Sequence, residues 1–230
     1  MPIRHEIKQG ESVISLSELH GLFADTIWNA PENAELKEKR KNMNILLPGD
    51  ILFIPDKRPK EVSRETNNVH KFQRKGIPAL FRLQLFDIEE PRANQDYTLD
   101  VDGQMLTGKT DSRGVLEQYL PAISKKGVLI IKADESREEY RLEINFGYLD
   151  PINETAGVKK RLNNMGYDCG EPNNKLNDDM KLQLRLFQKR FNLEETGEVD
   201  APTLAKLEEL HENPKEFPPA DDQSTQGGVQ

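Results

Sequence analysis

Four histidines, one cysteine and forty acidic side chains are the groups in this 230-residue chain with the reactivity for catalysis or metal binding. His5, His20, His70 and His211 never stand at i, i+4 or another ligand spacing with a second histidine or a cysteine. A zinc centre is therefore not expected. A thiol nucleophile needs a paired histidine and a lowered pKa. Cys169 sits instead in Asp168-Cys169-Gly170, beside an acid that raises its pKa and weakens it. Glycosidic cleavage needs two carboxylates flanking one cleft. Adjacent pairs such as Glu89-Glu90 and Glu138-Glu139 are what so many acids produce by chance, and they read as solvated surface. The expectation is a protein that is not an enzyme and holds no metal or cofactor.

The charge balance narrows the partners. A formal net charge of −8 argues against nucleic acid, which needs a basic face to release counterions. Lys37, Lys39, Arg40 and Lys41 cluster, but Glu35 and Glu38 interleave with them, so the run reads as a solvated helix face. With 31% charged and 35% hydrophobic residues, each core must be small, which favours several compact modules over one large one. A single cysteine allows no internal disulfide. The start, Met1-Pro2-Ile3-Arg4-His5-Glu6, lacks the apolar region of a signal peptide. No run approaches the roughly 18 apolar residues of a membrane-spanning helix. The expected location is cytoplasmic as synthesised, with no membrane partner.

The elements that would position any site fall into an α+β, multidomain plan. Residues 1–57 read strand, helix, helix, strand. His5 to Lys8 is extended, Gln9-Gly10-Glu11 turns, Ser12 is an N-cap, and Val13, Leu16 and Leu19 give a short stripe. A second helix holds Ile27 and Trp28, and Ile51-Leu52-Phe53-Ile54 closes the segment as a strand. Residues 58–70 are a polar linker. Residues 71–149 carry short strands at Ala79 to Phe86, Tyr97 to Val101, Gly114 to Tyr119, Gly127 to Ala133 and Tyr140 to Ile144, with a turn at Asp102-Gly103. Their spacing predicts an all-β sandwich. Residues 150–211 switch to helical spacing: Val158, Leu162 and Met165, then Met180, Leu184, Phe187 and Phe191, then Leu204, Leu207 and Leu210 behind an Asp200 cap. Three helices around one core are expected there. Residues 212–230, rich in Pro, Asp and Gly, read as a disordered tail.

Two ends of the first segment carry a resemblance. His5-x-Ile7-x-x-Gly10-Glu11-Ser12-Val13, with Leu47-Pro48-Gly49-Asp50-Ile51-Leu52-Phe53-Ile54-Pro55, resembles the LysM family. That resemblance implies a βααβ module binding N-acetylglucosamine-containing chains such as peptidoglycan. It places the sugar groove at Gly10, Glu11, Ser12 and Val13 and at Asn44, Ile45, Leu46 and Leu47. The chain departs from the family between Pro31 and Asn42, a longer and more charged stretch that borders the groove.

Residues Thr155 to Leu210 resemble the peptidoglycan-binding domain found beside many wall hydrolases. The matching pieces are Val158-x-x-x-Leu162-x-x-x-Gly166-Tyr167, Phe187-Gln188-x-x-Phe191-x-Leu193 and Thr196-Gly197-x-Val199-Asp200-x-x-Thr203-Leu204. Leu162, Phe187 and Phe191 are assigned to its core. Tyr167, Asn173 and Asn174 are assigned to the surface that would meet peptidoglycan. The departure is Glu171 to Leu176, where the family turns on aspartate and glycine. In the middle segment, Gly108-Lys109-Thr110-Asp111-Ser112-Arg113-Gly114 is similar to the strand-turn-strand of transthyretin-like and carboxypeptidase-regulatory-like sandwiches.

The run from Thr26 to Leu36, and Phe146-Gly147-Tyr148-Leu149-Asp150-Pro151 ahead of Val158, resemble LysM-type proteins encoded with type VI secretion spike components. This implies a non-catalytic peptidoglycan- or glycan-binding protein, an accessory or cargo of a contractile injection system that the machine delivers to the periplasm. The alternative is an adaptor or chaperone that docks a toxin effector onto the spike protein without binding sugar.

Overall fold

The computed structural model describes residues 1–57, 63–69, 78–87, 90–132 and 139–212. Of the expected linker only 63–69 are described. His70, Glu89, Ala133, Glu138 and the tail beyond Glu212 lie outside the described residues. The fold is mixed α and β, with six α-helices and several antiparallel strand pairs among the described residues. The chain divides into two compact units. One holds Met1–Phe81, Thr98–Thr107 and Glu117–Tyr148; the other holds Arg82–Tyr97, Gly108–Leu116 and Leu149–Gln230.

The N-terminal segment runs β1 (Ile3–Glu6), α1 (Val13–His20), α2 (Ala24–Trp28), a single 3-10 turn (Pro31–Asn33), α3 (Ala34–Arg40) and β2 (Ile51–Ile54). β1 and β2 pair antiparallel, with Ile3 opposite Ile54 and Glu6 opposite Ile51. Ser12 caps α1 by accepting from the Ser15 amide, and the Ser15 hydroxyl accepts from the Ser12 amide in return. Gly21, at φ 62°, ends the helix in the left-handed region. Ile7, Val13, Leu16, Ile27, Trp28, Leu36, Leu46, Leu52 and Ile54 form one core.

The charged stretch from Pro31 to Asn42 behaves differently from a solvated face. It forms the 3-10 turn and α3, whose Leu36 and Arg40, at i and i+4, both turn inward. Buried Arg40 grips Asp50 with two parallel bonds, Nε to Oδ2 at 2.7 Å and Nη2 to Oδ1 at 2.8 Å. Asp50 Oδ2 also accepts the Leu47 amide at 2.9 Å, and the Asp50 carbonyl accepts the Ile7 amide. One residue thus ties α3, the turn before β2 and the end of β1 together. Asn33, also buried, does the same for β2. Its Nδ2 donates to the Ile27 and Phe53 carbonyls, and its Oδ1 accepts the Phe53 amide at 2.8 Å. A side-chain amide here satisfies strand backbone that no neighbouring strand reaches.

Residues 78–145 carry β3 (Pro78–Gln84), β4 (Phe86–Asp87), β5 (Glu90–Pro91), β6 (Asp96–Val101), β7 (Gln104–Lys109), β8 (Val115–Pro121), β9 (Lys126–Lys132) and β10 (Glu139–Asn145). They make a four-stranded sheet in the order β10-β9-β6-β7 and two pairs, β3-β8 and β4-β5. Strand β7 adds to the sequence expectation. Asp102 and Gly103 both take positive φ, 49° and 90°, the twist that a two-residue hairpin between β6 and β7 requires. Alternation sets the buried face: Tyr97, Leu99 and Val101 in β6, and Gly127, Leu129 and Ile131 in β9. The Asp111-Ser112-Arg113-Gly114 turn is held by Asp111 Oδ1, which accepts the Arg113 and Val115 amides at 2.8 Å each.

The last segment holds α4 (Thr155–Asn164), α5 (Asp178–Arg190) and α6 (Ala201–Glu212). Val158, Leu162, Cys169, Met180, Leu184, Phe187, Leu207 and Leu210 form its buried core, with Tyr167, Phe191 and Leu204 packed at the margin.

Burial alone would raise the Asp50 pKa, but the Arg40 bonds, the Leu47 amide and the Arg40 and Lys39 charges hold it below the usual aspartate value. A depressed carboxylate stabilises the fold above its unfolded pKa, and that contribution fades as pH falls through the folded value. Unfolding by urea should therefore show stability flat near neutrality and declining below about pH 4. Asp50→Ala removes the carboxylate that buried Arg40 holds with two parallel bonds and should cost about 3–5 kcal/mol. A loss under about 1 kcal/mol would mean that water reaches Arg40 freely.

Candidate functional site

The eight groove residues of the N-terminal segment come together, and nearly all of them have duties to the fold. The Val13 amide donates to the Met43 carbonyl at 2.9 Å, joining the start of α1 to the loop before β2. Val13, Ile45 and Leu46 are buried. Glu11 is held by His5 Nε2 at 2.7 Å and by the Lys8 amide at 2.9 Å. Burial raises its pKa, but those two bonds, with the His5 and Lys8 charges, lower it overall. Ser12 is committed to its capping box, and the Leu47 amide to Asp50. Asn44 alone among the eight is exposed, its amide tied to Asn42 Oδ1.

Gly10 meets a segment that sequence reasoning did not connect with it. At φ 84°, Gly10 lies under the ring of Tyr148: a Cβ added to Gly10 would sit 3.3 Å from Tyr148 Cε2. A Cβ on Gly147, itself at φ 73°, would sit 2.8 Å from the Gly10 carbonyl oxygen. Two glycines let the two backbones approach closely. The Phe146-Gly147-Tyr148 turn therefore lies against the loop at Gly10. Nothing in the spacing of residues 10 and 147 along the chain signals that contact.

In the C-terminal segment, Tyr167 is half-buried and packs edge-on against Phe187, with ring centroids 5.6 Å apart. Burial pushes its hydroxyl pKa up, with the Arg190 cation acting against it. Asn173 and Asn174 are exposed, yet their carbonyl oxygens turn toward α4. Asn174 Oδ1 accepts the Ala156 amide at 2.9 Å, and Asn173 Oδ1 accepts from Lys159 Nζ at 3.0 Å. Helix α4 lacks a cap of its own, because the Glu154 side chain makes no capping bond. The 171–176 loop, where the chain departs from the pattern it resembles, supplies the cap instead.

Two buried cations on α4 escaped sequence reasoning. Lys159 and Arg161 are 1% and 2% exposed. Arg161 Nη1 donates to the Asp150 and Gly157 carbonyls at 2.8 and 3.0 Å, and Nη2 reaches Glu212 Oε1 at 2.9 Å. Burial would raise the Glu212 pKa, but His211 and Arg161 together hold it down. Gly157 faces the same turn: a Cβ there would collide with the Pro151 carbonyl oxygen. Two of the partners of Arg161, Asp150 and Glu212, lie 11 and 51 residues away, so no local pattern marks it.

The motif around Phe187 resolves into folding parts. Buried Gln188 donates through Nε2 to the hydroxyls of Thr196 and Thr203 at 2.9 Å each and to the Glu198 carbonyl at 3.2 Å, and its Oε1 accepts the Gly197 amide at 2.8 Å. Asp200 caps α6 by accepting the Thr203 amide at 2.9 Å. Its pKa is lowered chiefly by its bond with Thr203. The residues of this motif build the α5–α6 connection.

Cys169 is fully buried, and its thiol is pushed up to about 11, mainly by burial, with Lys159 acting against it and Asp168 adding to it. Burial outweighs the neighbouring acid to which the sequence pointed. Among the described residues no group of three or more His, Cys, Asp or Glu side chains converges as a metal site, and no helix is long and apolar enough to cross a membrane.

The comparison with protein families matches residues 146–207 to the family described as "Putative peptidoglycan binding domain". The match begins at the Phe146 turn and runs through α4, α5 and most of α6. No curated protein and no solved structure matches the chain.

Replacing Gln188 by leucine keeps the volume but strips the buried Gly197 amide of its acceptor and removes one of the partners of the Thr196 and Thr203 hydroxyls and of the Glu198 carbonyl. Each buried polar group left unpaired costs about 1–3 kcal/mol. Gln188→Leu should therefore lower stability by at least about 2 kcal/mol in chemical denaturation. Thermal unfolding indistinguishable from wild type would show that the 194–200 loop is held by other means.

Proposed function

We propose that this chain is a non-catalytic peptidoglycan-binding protein. The observation that carries the reading is the family match over 146–207, which falls on a helical segment with its own buried core. In this reading the chain parses as a LysM-like module at 1–57, a linker at 58–70, a β-sandwich at 71–149, a peptidoglycan-binding helical domain at 150–211 and a tail at 212–230. The pairing of β1 with β2 around intervening helices supports the LysM-like parsing. The inaccessibility of the Cys169 thiol supports the non-catalytic part. Two linked weak sites can hold a polymer that neither holds alone. The accessory role at a type VI secretion spike, with export to the periplasm, belongs to this proposal and rests on the motif resemblance at 26–36 and 146–151.

A second reading, an adaptor that docks a toxin effector on the spike protein, is favoured by a specific observation. Val13, Ile45 and Leu46 are buried, and Asn173 and Asn174, though exposed, give their side-chain oxygens to α4, so these assigned sugar contacts are already engaged by the fold.

Sedimentation with purified sacculi separates the two. The full chain should pellet with sacculi in a saturable manner and leave their turbidity unchanged over hours. A chain that stays in the supernatant at every sacculus concentration removes the peptidoglycan reading and leaves the adaptor. Falling turbidity would make the protein a hydrolase and remove both.

A further inference from the structure

Strand β10 ends the four-stranded sheet, so one of its edges has no neighbouring strand in that sheet among the described residues. Its sequence alternates strictly. Tyr140, Leu142 and Ile144 stand opposite Ile131, Leu129 and Gly127 of β9, on the face where β9 is buried. Even so, Tyr140 and Leu142 are 52% and 48% exposed, so the buried face of the sheet runs on into open apolar surface at this edge. Glu139, Arg141, Glu143 and Asn145 occupy the other face.

The parity of the backbone bonds follows from the register. The Phe146 amide donates to the Lys125 carbonyl, and these two residues continue the β10–β9 register as a directly opposed pair. Hydrogen-bonded pairs recur every second residue in an antiparallel ladder. Residues 140, 142 and 144 therefore bond toward β9, and Glu139, Arg141, Glu143 and Asn145 direct their amides and carbonyls outward. An edge of this kind templates another strand unless charge or a bulge prevents it.

The charges choose the partner. If a second β10 pairs antiparallel about a two-fold axis at Leu142, Arg141 of each copy faces Glu143 of the other, Tyr140 faces Ile144, Glu139 faces Asn145, and Leu142 faces itself. The outward-directed residues then meet one another, as the backbone bonding requires. Moving the axis to Arg141 would oppose Arg141 to itself and Glu139 to Glu143. Moving it to Glu143 would oppose Glu143 to itself. Like charges directly across are unfavourable, so both alternatives are disfavoured. An axis between residues would set apolar side chains against the polar face. Arg141 also lies 3.5 Å from Glu139 of its own strand, an exposed pair worth little.

We propose that β10 is a self-association edge, and that two copies of this chain join their four-stranded sheets through it, centred on Leu142. This is an isologous contact, which closes as a dimer and does not propagate.

Sedimentation velocity of the full chain should show a monomer–dimer equilibrium. Arg141→Glu and Glu143→Arg, both at exposed positions, should each weaken the dimer by about tenfold or more while leaving circular dichroism unchanged. Combined in one chain, they recreate opposite charges across the axis and should restore wild-type association. Leu142→Cys should give a disulfide-linked dimer on mild oxidation, because the native Cys169 is buried and does not compete. A wild-type chain that stays monomeric at all concentrations overturns the proposal. So does a dimer insensitive to both single changes, a double change that fails to rescue, or a Leu142→Cys chain that does not cross-link.

Discussion

The connections between elements in this protein carry buried backbone groups that no strand ladder or helical turn satisfies, and those groups need partners. That constraint shapes each segment. In cores of about ten apolar side chains, contact area alone does not fix a loop to within hydrogen-bond tolerance. Single buried polar side chains do it instead. Asp50 gathers the end of β1, the turn before β2 and α3. Asn33 takes both backbone groups of Phe53. Gln188 gathers the α5–α6 connection, and Arg161 gathers the turn before α4 together with the end of α6. Each is a place where one side chain does the work of a missing strand or helical turn, and each is costly to leave half-satisfied.

This bears on where a ligand could be recognised. The residues that carry the peptidoglycan-binding pattern most clearly, Phe187, Gln188, Thr196, Gly197, Asp200 and Thr203, are engaged in packing and capping. Their bonds serve the fold, so the residues left to meet a ligand are those on the surface outside the pattern. In the N-terminal segment Asn44 and Tyr148 are exposed, as are Pro48 and Gly49 of the motif, while Val13, Ile45 and Leu46 are buried.

How much was legible follows from where the information resides. Periodicity revealed α4, α5 and α6 because Val158 and Leu162, or Met180, Leu184 and Phe187, repeat on one face and pack there. Local chemistry revealed the caps at Ser12 and Asp200 and the hairpin at Asp102-Gly103. Strand β7 lacks any such signal, since an edge strand with Gln104, Met105, Thr107 and Lys109 exposed has no apolar alternation to read. Helix α3 was hidden for the opposite reason. A buried arginine stands where a periodic pattern expects an apolar residue, and its partner Asp50 lies ten residues on. The approach of Gly10 to Gly147 lies across most of the chain and leaves no trace in either neighbourhood.

The borrowed cap of α4 has a consequence for the order of folding. Its first turn offers amides that no residue beside it accepts; the acceptor is Asn174, eighteen residues later. A helix nucleates poorly when its opening turn is unsatisfied. The start of α4 is completed only when the 171–176 loop folds back onto it, so the segment acquires part of its native start from its middle. Ordering of the loop and completion of the helix are then one event, and a fault in the loop is felt as fraying at Thr155 and Ala156.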